Sequence, residues 1–168
     1  MKTKTNLIAS FLFAILISGI IIYQLRQNNA MKAPQNPFYN YTLTQDNGQQ
    51  FDPNTLKETV FIVSYFQTWC SDCVKEQPEL MKLQKQFAGK NFKILMVTDE
   101  SMDKINAFKQ KFGAGLNIFQ LKEPIKSIGI KRFPTTYLIN KKGEVVVSKV
   151  EGINWFTPEI VKTIEDLL

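Results

Sequence analysis

Hydrophobic positions come first as one unbroken run. Leu7 to Tyr23 (LIASFLFAILISGIIIY) carries no charge and is interrupted only by Ser10, Ser18 and Gly19. As a helix it would extend roughly 26 Å, about the thickness of a bilayer's hydrocarbon layer. Residues Gln24 to Pro37 are polar and contain Pro34 and Pro37, which makes them a spacer. Beyond them the pattern becomes that of a folded domain. Tyr39 to Thr44 alternates and meets Asp46-Asn47-Gly48, a hairpin turn signal. Asp52-Pro53 has the form of an N-cap followed by proline at the first helical position. Val60 to Phe66 is a continuous apolar run, suited to a strand covered on both faces.

From Cys73 to Phe87 the period lengthens. Leu80, Leu83 and Phe87 share one stripe, and Gly89 ends the helix. Phe92 to Val97 is a second buried strand, Met102 to Phe112 an amphipathic helix, and Leu116 to Leu121 a short strand. Pro124 to Ile128 is a short helix. Thr135 to Ile139 and Glu144 to Val150 form an antiparallel pair across Asn140-Lys141-Lys142-Gly143, and Pro158 to Leu168 is a last helix. A hairpin-like opening followed by βαβ, α and ββα implies an α/β domain, with a central sheet and helices on both faces. The site then belongs at the C-terminal end of the strand Val60–Phe66.

Charge changes the picture at one end only. Three of the six surplus positive charges lie on Lys2, Lys4 and Arg26, around the apolar run. Lys2 and Lys4 favour a cytoplasmic N-terminus and an exported C-terminal domain. A cleaved secretory signal has the same basic start, but this apolar run is long for one, and Asn28-Asn29-Ala30 is a poor cleavage site. The rest of the chain has a mild basic excess, with none of the concentration that nucleic-acid binding needs. Histidine is absent, which excludes Ser-His-Asp and Cys-His catalysis and His-ligated zinc. Two cysteines cannot complete a four-ligand zinc site, so no metal is expected.

Those two cysteines, Cys70 and Cys73, stand where a strand feeds a helix, in the run Trp69-Cys70-Ser71-Asp72-Cys73. Unpaired N–H groups and the positive dipole end at a helix start favour a thiolate, the nucleophile of disulfide exchange. Cys70 at the tip is the attacking cysteine, and Cys73, one turn deeper, resolves the mixed disulfide. A static disulfide or a pair of metal ligands would need neither the tryptophan nor the strand-to-helix junction. Ser71 and Asp72 tune the pair. The Asp72 charge opposes the thiolate, so a reducing couple is expected.

The motifs resemble the TlpA/ResA group of extracytoplasmic thioredoxin-like proteins. Thr68-Trp69-Cys70-Ser71-Asp72-Cys73 with Lys75-Glu76-Gln77-Pro78 carries the resemblance. So do Phe133-Pro134-Thr135-Thr136-Tyr137-Leu138-Ile139-Asn140 with Gly143-Glu144-Val145, and the opening YTLTQDNGQQF. The similarity implies a thioredoxin-like fold with a mixed sheet over residues 38–168. It implies that Pro134 is a cis-proline facing the disulfide and that Phe133 grips the substrate backbone beside Trp69. It also implies that Glu76 handles protons near the cysteines. The sequence departs from thioredoxins at Ser64, where cytosolic members carry a buried aspartate, and at Asp72, where proline is common. Gln67 three residues before Cys70 leaves no peroxidatic Thr-x-x-Cys arrangement.

The expected protein has a transmembrane segment (residues 1–26), a spacer (27–37) and a thioredoxin-like domain (38–168). It is expected to be a thiol–disulfide oxidoreductase acting on thiols and disulfides of exported proteins, re-reduced by a membrane electron donor. Its cofactor is nothing beyond the Cys70–Cys73 disulfide, and it has no nucleic-acid partner. It would cross the bacterial cell membrane once, its N-terminus cytoplasmic and its catalytic domain facing the periplasm or cell exterior. An oxidase or isomerase is the alternative within the same chemistry. A non-catalytic metal-binding or scaffold protein is the alternative outside it.

Overall fold

The computed structural model describes residues 13, 15–20, 38–112, 115 and 117–168. The chain divides into two units, Met1–Lys32 and Ala33–Leu168. Residues 15–20 of the first are helical. Among the described residues no helix is long and apolar enough to cross a membrane. The expected transmembrane helix and spacer otherwise lie outside the described residues.

The second unit is built on one sheet. Its strands are β1 (Leu43–Gln45), β2 (Gln50–Phe51), β3 (Val60–Tyr65), β4 (Phe92–Thr98), β5 (Ile118–Leu121), β6 (Thr135–Ile139) and β7 (Val145–Val150). They lie in the order β2-β1-β5-β4-β3-β6-β7. β3, β4 and β5 run parallel, and the pairs β1–β2, β1–β5, β3–β6 and β6–β7 are antiparallel, so the sheet is mixed. The helices are α1 (Ser71–Gln86), α2 (Met102–Phe112) and α3 (Pro158–Leu167). Every residue of β3 is buried, as its unbroken apolar run requires of a central strand.

Side chains alternate across that strand and divide the core in two. Val60 and Ile62 point to one face, where they meet Leu80 and Leu83 of α1, its C-cap Phe87, and Ile160 and Ile164 of α3. Met96 and Ile118, in register on that same face, meet Ile105 and Phe108 of α2. Phe61, Val63 and Tyr65 point the other way, toward Phe38, Leu56 and Ile125. These last residues lie in 3-10 turns, Phe38–Asn40, Pro53–Leu56 and Ile125–Ile128. Burying each large apolar side chain contributes about 2 kcal/mol, so both faces matter to stability.

Helices cover both faces, as expected, but they are not of one kind. All three α-helices share one face, and 3-10 turns close the other. The reason is topological. β3 to β4 and β4 to β5 step in the same direction across the sheet, and right-handed crossovers then place both helices on the same side. The segments left for the opposite face are too short for α-helices. Local expectations held as well. Asp52 does cap a turn with Pro53 at its start, accepting from Asn54 N–H at 2.9 Å. Met102–Phe112 and Thr135–Ile139 have the expected bounds.

Candidate active site

Cys70 is the N-cap of α1, with extended backbone (φ −81°, ψ 111°). Its Sγ accepts the Cys73 N–H at 3.2 Å, so the sulfur occupies the place of a capping oxygen. Cys70 and Cys73 form a disulfide with Cα atoms 5.3 Å apart. Cys70 keeps 7% of its surface exposed and Cys73 2%, which makes Cys70 the sulfur a partner can reach. Asp72 lies in the first turn and pairs with Lys75 at 2.9 Å, both side chains being well exposed.

The loop before β6 packs against the cluster that holds Cys70 and Cys73 through Phe133. The Phe133–Pro134 peptide is cis, and the Pro134 carbonyl accepts the Glu151 N–H at 2.8 Å. Among the described residues no hydrogen bond takes the Phe133 N–H or carbonyl. Trp69 is 71% exposed and meets Phe133 edge-on, with ring centroids 6.1 Å apart. Together they make an aromatic rim beside Cys70.

Glu76, one turn past Cys73, is buried. Its Oε1 accepts from Thr136 Oγ1 at 2.7 Å and Ser64 Oγ at 3.3 Å, and Thr136 Oγ1 lies 2.8 Å from Ser64 Oγ. Ser64 and Thr136 are opposite each other on β3 and β6, so α1 lowers its carboxyl onto a polar spot of the sheet. Burial pushes the Glu76 pKa from 4.5 up to about 7, against the pull of those hydroxyls. The Ile153 N–H and the Trp155 indole also draw it down. Yet Oε2 and the indole Nε1 are each buried without a hydrogen-bond partner of full geometry. A pocket of about 280 Å³ beside Asp72, Glu79 and Asn154 opens onto Glu76. A carboxyl with such a pKa can both take and give a proton near neutrality.

One set of site residues was missed from sequence. Thr98-Asp99-Glu100 ends β4 beside the Cys motif. Glu100 accepts the Thr68 N–H at 2.5 Å, the Thr68 hydroxyl at 3.1 Å and the Lys104 ammonium at 3.1 Å. Asp99 accepts from Gln67 Nε2 at 2.6 Å and the Ile125 N–H at 2.9 Å. Two carboxylates therefore hold the turn that presents Trp69 and Cys70. The available signal was an acidic pair at the C-terminal end of a buried strand, beside the one that carries the cysteines. Among the described residues, no group of three or more His, Cys, Asp or Glu is arranged to hold a metal.

The AhpC/TSA family model matches residues 34–148. This chain belongs to the AhpC/TSA family. It is similar to the thiol-disulfide oxidoreductase ResA of Bacillus subtilis, 27% identical over 110 residues, which are 64% of this chain and 62% of that one. It also matches ResA of Bacillus cereus, at 24% identity over 85% of this chain and 87% of that one. Among solved structures, the thioredoxin domain of a thiol-disulfide oxidoreductase from Bacteroides vulgatus superposes with a TM-score of 0.63. It is 24% identical and covers 74% of this chain and 90% of that one. That likeness establishes a thioredoxin-like fold. Within the AhpC/TSA family, this chain carries Gln67 where a peroxidatic Thr-x-x-Cys arrangement needs threonine.

Proposed function

We propose that this chain is a thiol–disulfide oxidoreductase that reduces disulfides in exported proteins. The observation that carries the reading is the Cys70–Cys73 disulfide at the tip of α1, with the more exposed Cys70 Sγ on the helix N-terminus. In the reduced protein the Cys70 thiolate attacks one sulfur of a substrate disulfide, and the other leaves as a thiolate. Cys73 then attacks Cys70 Sγ, which releases the second substrate thiolate and re-forms the protein disulfide. Two electrons pass to the substrate, and two protons follow. Glu76 is suited to receive the Cys73 proton, while Trp69, Phe133 and Pro134 align the substrate chain. The disulfide itself is the only redox group the cycle needs.

The apolar segment Leu7–Tyr23, preceded by Lys2 and Lys4, would anchor the chain once in a bacterial cell membrane, with the domain outside. A membrane electron donor would then return the disulfide to the dithiol. Mass spectrometry of the native N-terminus tests the anchor: a chain starting near Met31 rules it out. Insulin reduction by the full-length chain, with its potential measured against glutathione, tests the direction. A reducing potential and rapid turnover support the reductase. A potential close to that of strong oxidants makes the protein an oxidase instead.

A further inference from the structure

A groove of about 360 Å³ runs between the Thr68–Trp69 turn and α2. Its walls are apolar: Trp69, Ala107, Phe108 and Phe112. Phe108 belongs to the same core cluster as Cys70 and Cys73, and Trp69, next to Cys70 in the chain, forms one wall of the groove. Its rim is basic. Lys111 is exposed, with its ammonium 5.1 Å over the Phe112 ring, and the Lys104 side chain is 61% exposed. Glu100 lines the groove too, and its buried carboxylate accepts from Thr68 and also pairs with the Lys104 ammonium at 3.1 Å, so among the described residues Lys111 is the rim cation with no carboxylate partner.

We propose that this groove docks the polypeptide flanking a substrate disulfide and selects a segment with an acidic residue beside an apolar one. The apolar residue fills the space between Trp69 and Phe108, and the acid faces Lys111. Solvated helix lysines alone would need no groove. Here an aromatic-lined groove lies beside Lys111. Complementary charge at an exposed rim acts mainly on encounter and register and is sensitive to salt. The proposal rests on the oxidoreductase reading above.

The test uses the full-length chain, reduced beforehand and freed of reductant. It is mixed in single turnover with disulfide-bridged peptides alike except for a Glu-Phe, Gln-Phe or Lys-Phe flank. The protein dithiol becomes the Cys70–Cys73 disulfide, and the peptide disulfide takes the two electrons and two protons. A parallel arm uses 2-hydroxyethyl disulfide, which has no flank. The Glu-Phe peptide is expected to react about fivefold faster than the Lys-Phe peptide at low salt. The gap should close in about 0.5 M salt, where the Debye length is short. Lys111→Glu should reverse the preference and leave the 2-hydroxyethyl disulfide rate unchanged. Charge-blind rates, or a Lys111→Glu protein with the preference intact, overturn the docking and leave the oxidoreductase standing. Rates that fall with protein concentration alongside a sedimenting dimer assign the groove to a second copy and also overturn it. Failure to reduce any disulfide overturns both readings.

Discussion

Two buried glutamates flank the Cys motif, and they are built oppositely. Glu100 receives a backbone N–H, a hydroxyl and an ammonium, spread over both oxygens. Glu76 receives two hydroxyls on Oε1 and no full hydrogen bond on Oε2. The first arrangement is that of a carboxylate used as a clamp, since charge-assisted bonds to N–H groups are strong and directional. The second leaves burial to dominate, and the pKa rises to about 7. A buried acid is structural or chemical according to its partners, and depth alone does not decide which.

The comparison breaks most visibly at Glu100. Glu100→Ala leaves the Thr68 N–H and hydroxyl without their acceptor, at a cost of about 3 kcal/mol. Urea unfolding should show it, together with a loss of Cys70 reactivity as the turn carrying Trp69 loosens. Glu100→Gln retains an acceptor for Thr68 and should recover most of the stability. If alanine proves as stable as the parent, Glu100 is no clamp.

At Glu76 the signature is a pH dependence. The native state keeps a proton there that the unfolded chain has already lost, because its pKa lies above the ordinary 4.5. Its contribution to stability is therefore full below about 4.5 and is lost as pH rises toward about 7. A loss of about 3 kcal/mol across that window is expected for a shift of this direction and size. Asp46 and Asp52, whose pKa values are lowered by hydrogen bonds from Lys109 and Asn54 respectively, act with the opposite sign at lower pH. The difference between parent and Glu76→Gln removes them from the comparison. That variant should be the more stable protein above neutrality, and its Cys73 alkylation profile should lose the inflection near 7. Parallel stability curves for the two proteins would place the proton elsewhere.

How much of this was legible follows from the kind of interaction. The disulfide, its helix tip and the strand beneath it rest on local patterns: a continuous apolar run, a Cys-x-x-Cys, a change of period. Those survive in one dimension. Ser64 was noticed as a departure, yet its bond to Glu76 spans 12 residues and that of Thr136 spans 60. A polar residue inside an apolar strand signals a buried partner without saying which. Glu100 reaches Thr68 across 32 residues, through the parallel register of β3 and β4, which no periodicity reveals. The placement of α1 and α2 on one face needed strand order, which the alternation of elements leaves open.

The wall of the Glu76 pocket gives a smaller effect. Gly152 crosses the start of α1, and a Cβ there would stand 3.0 Å from the Asp72 carbonyl oxygen and 3.3 Å from its Cβ. The obstacle is backbone, so the helix start must give. Gly152→Ala should cost about 1 kcal/mol by overpacking and should move the Glu76 inflection, whereas Glu100→Gln should leave that inflection in place. An alanine protein with both stability and inflection unchanged would show that the pocket wall yields freely.

The smallest effect belongs to Asp72. Its negative charge near the helix start disfavours the Cys70 thiolate, so removing it should stabilise the reduced protein and raise the potential. Lys75 stands 2.9 Å away, and both side chains face solvent, 75% and 53% exposed. Much of the charge is therefore already answered and screened. Asp72→Asn should raise the potential by about 10 mV, the scale of an exposed pair. Lys75→Gln, which frees the same carboxylate, should lower it by a similar amount. Opposite shifts from the two variants isolate the charge from any change in packing. A fall with Asp72→Asn would mean that its carboxylate acts on the disulfide by some route other than its field.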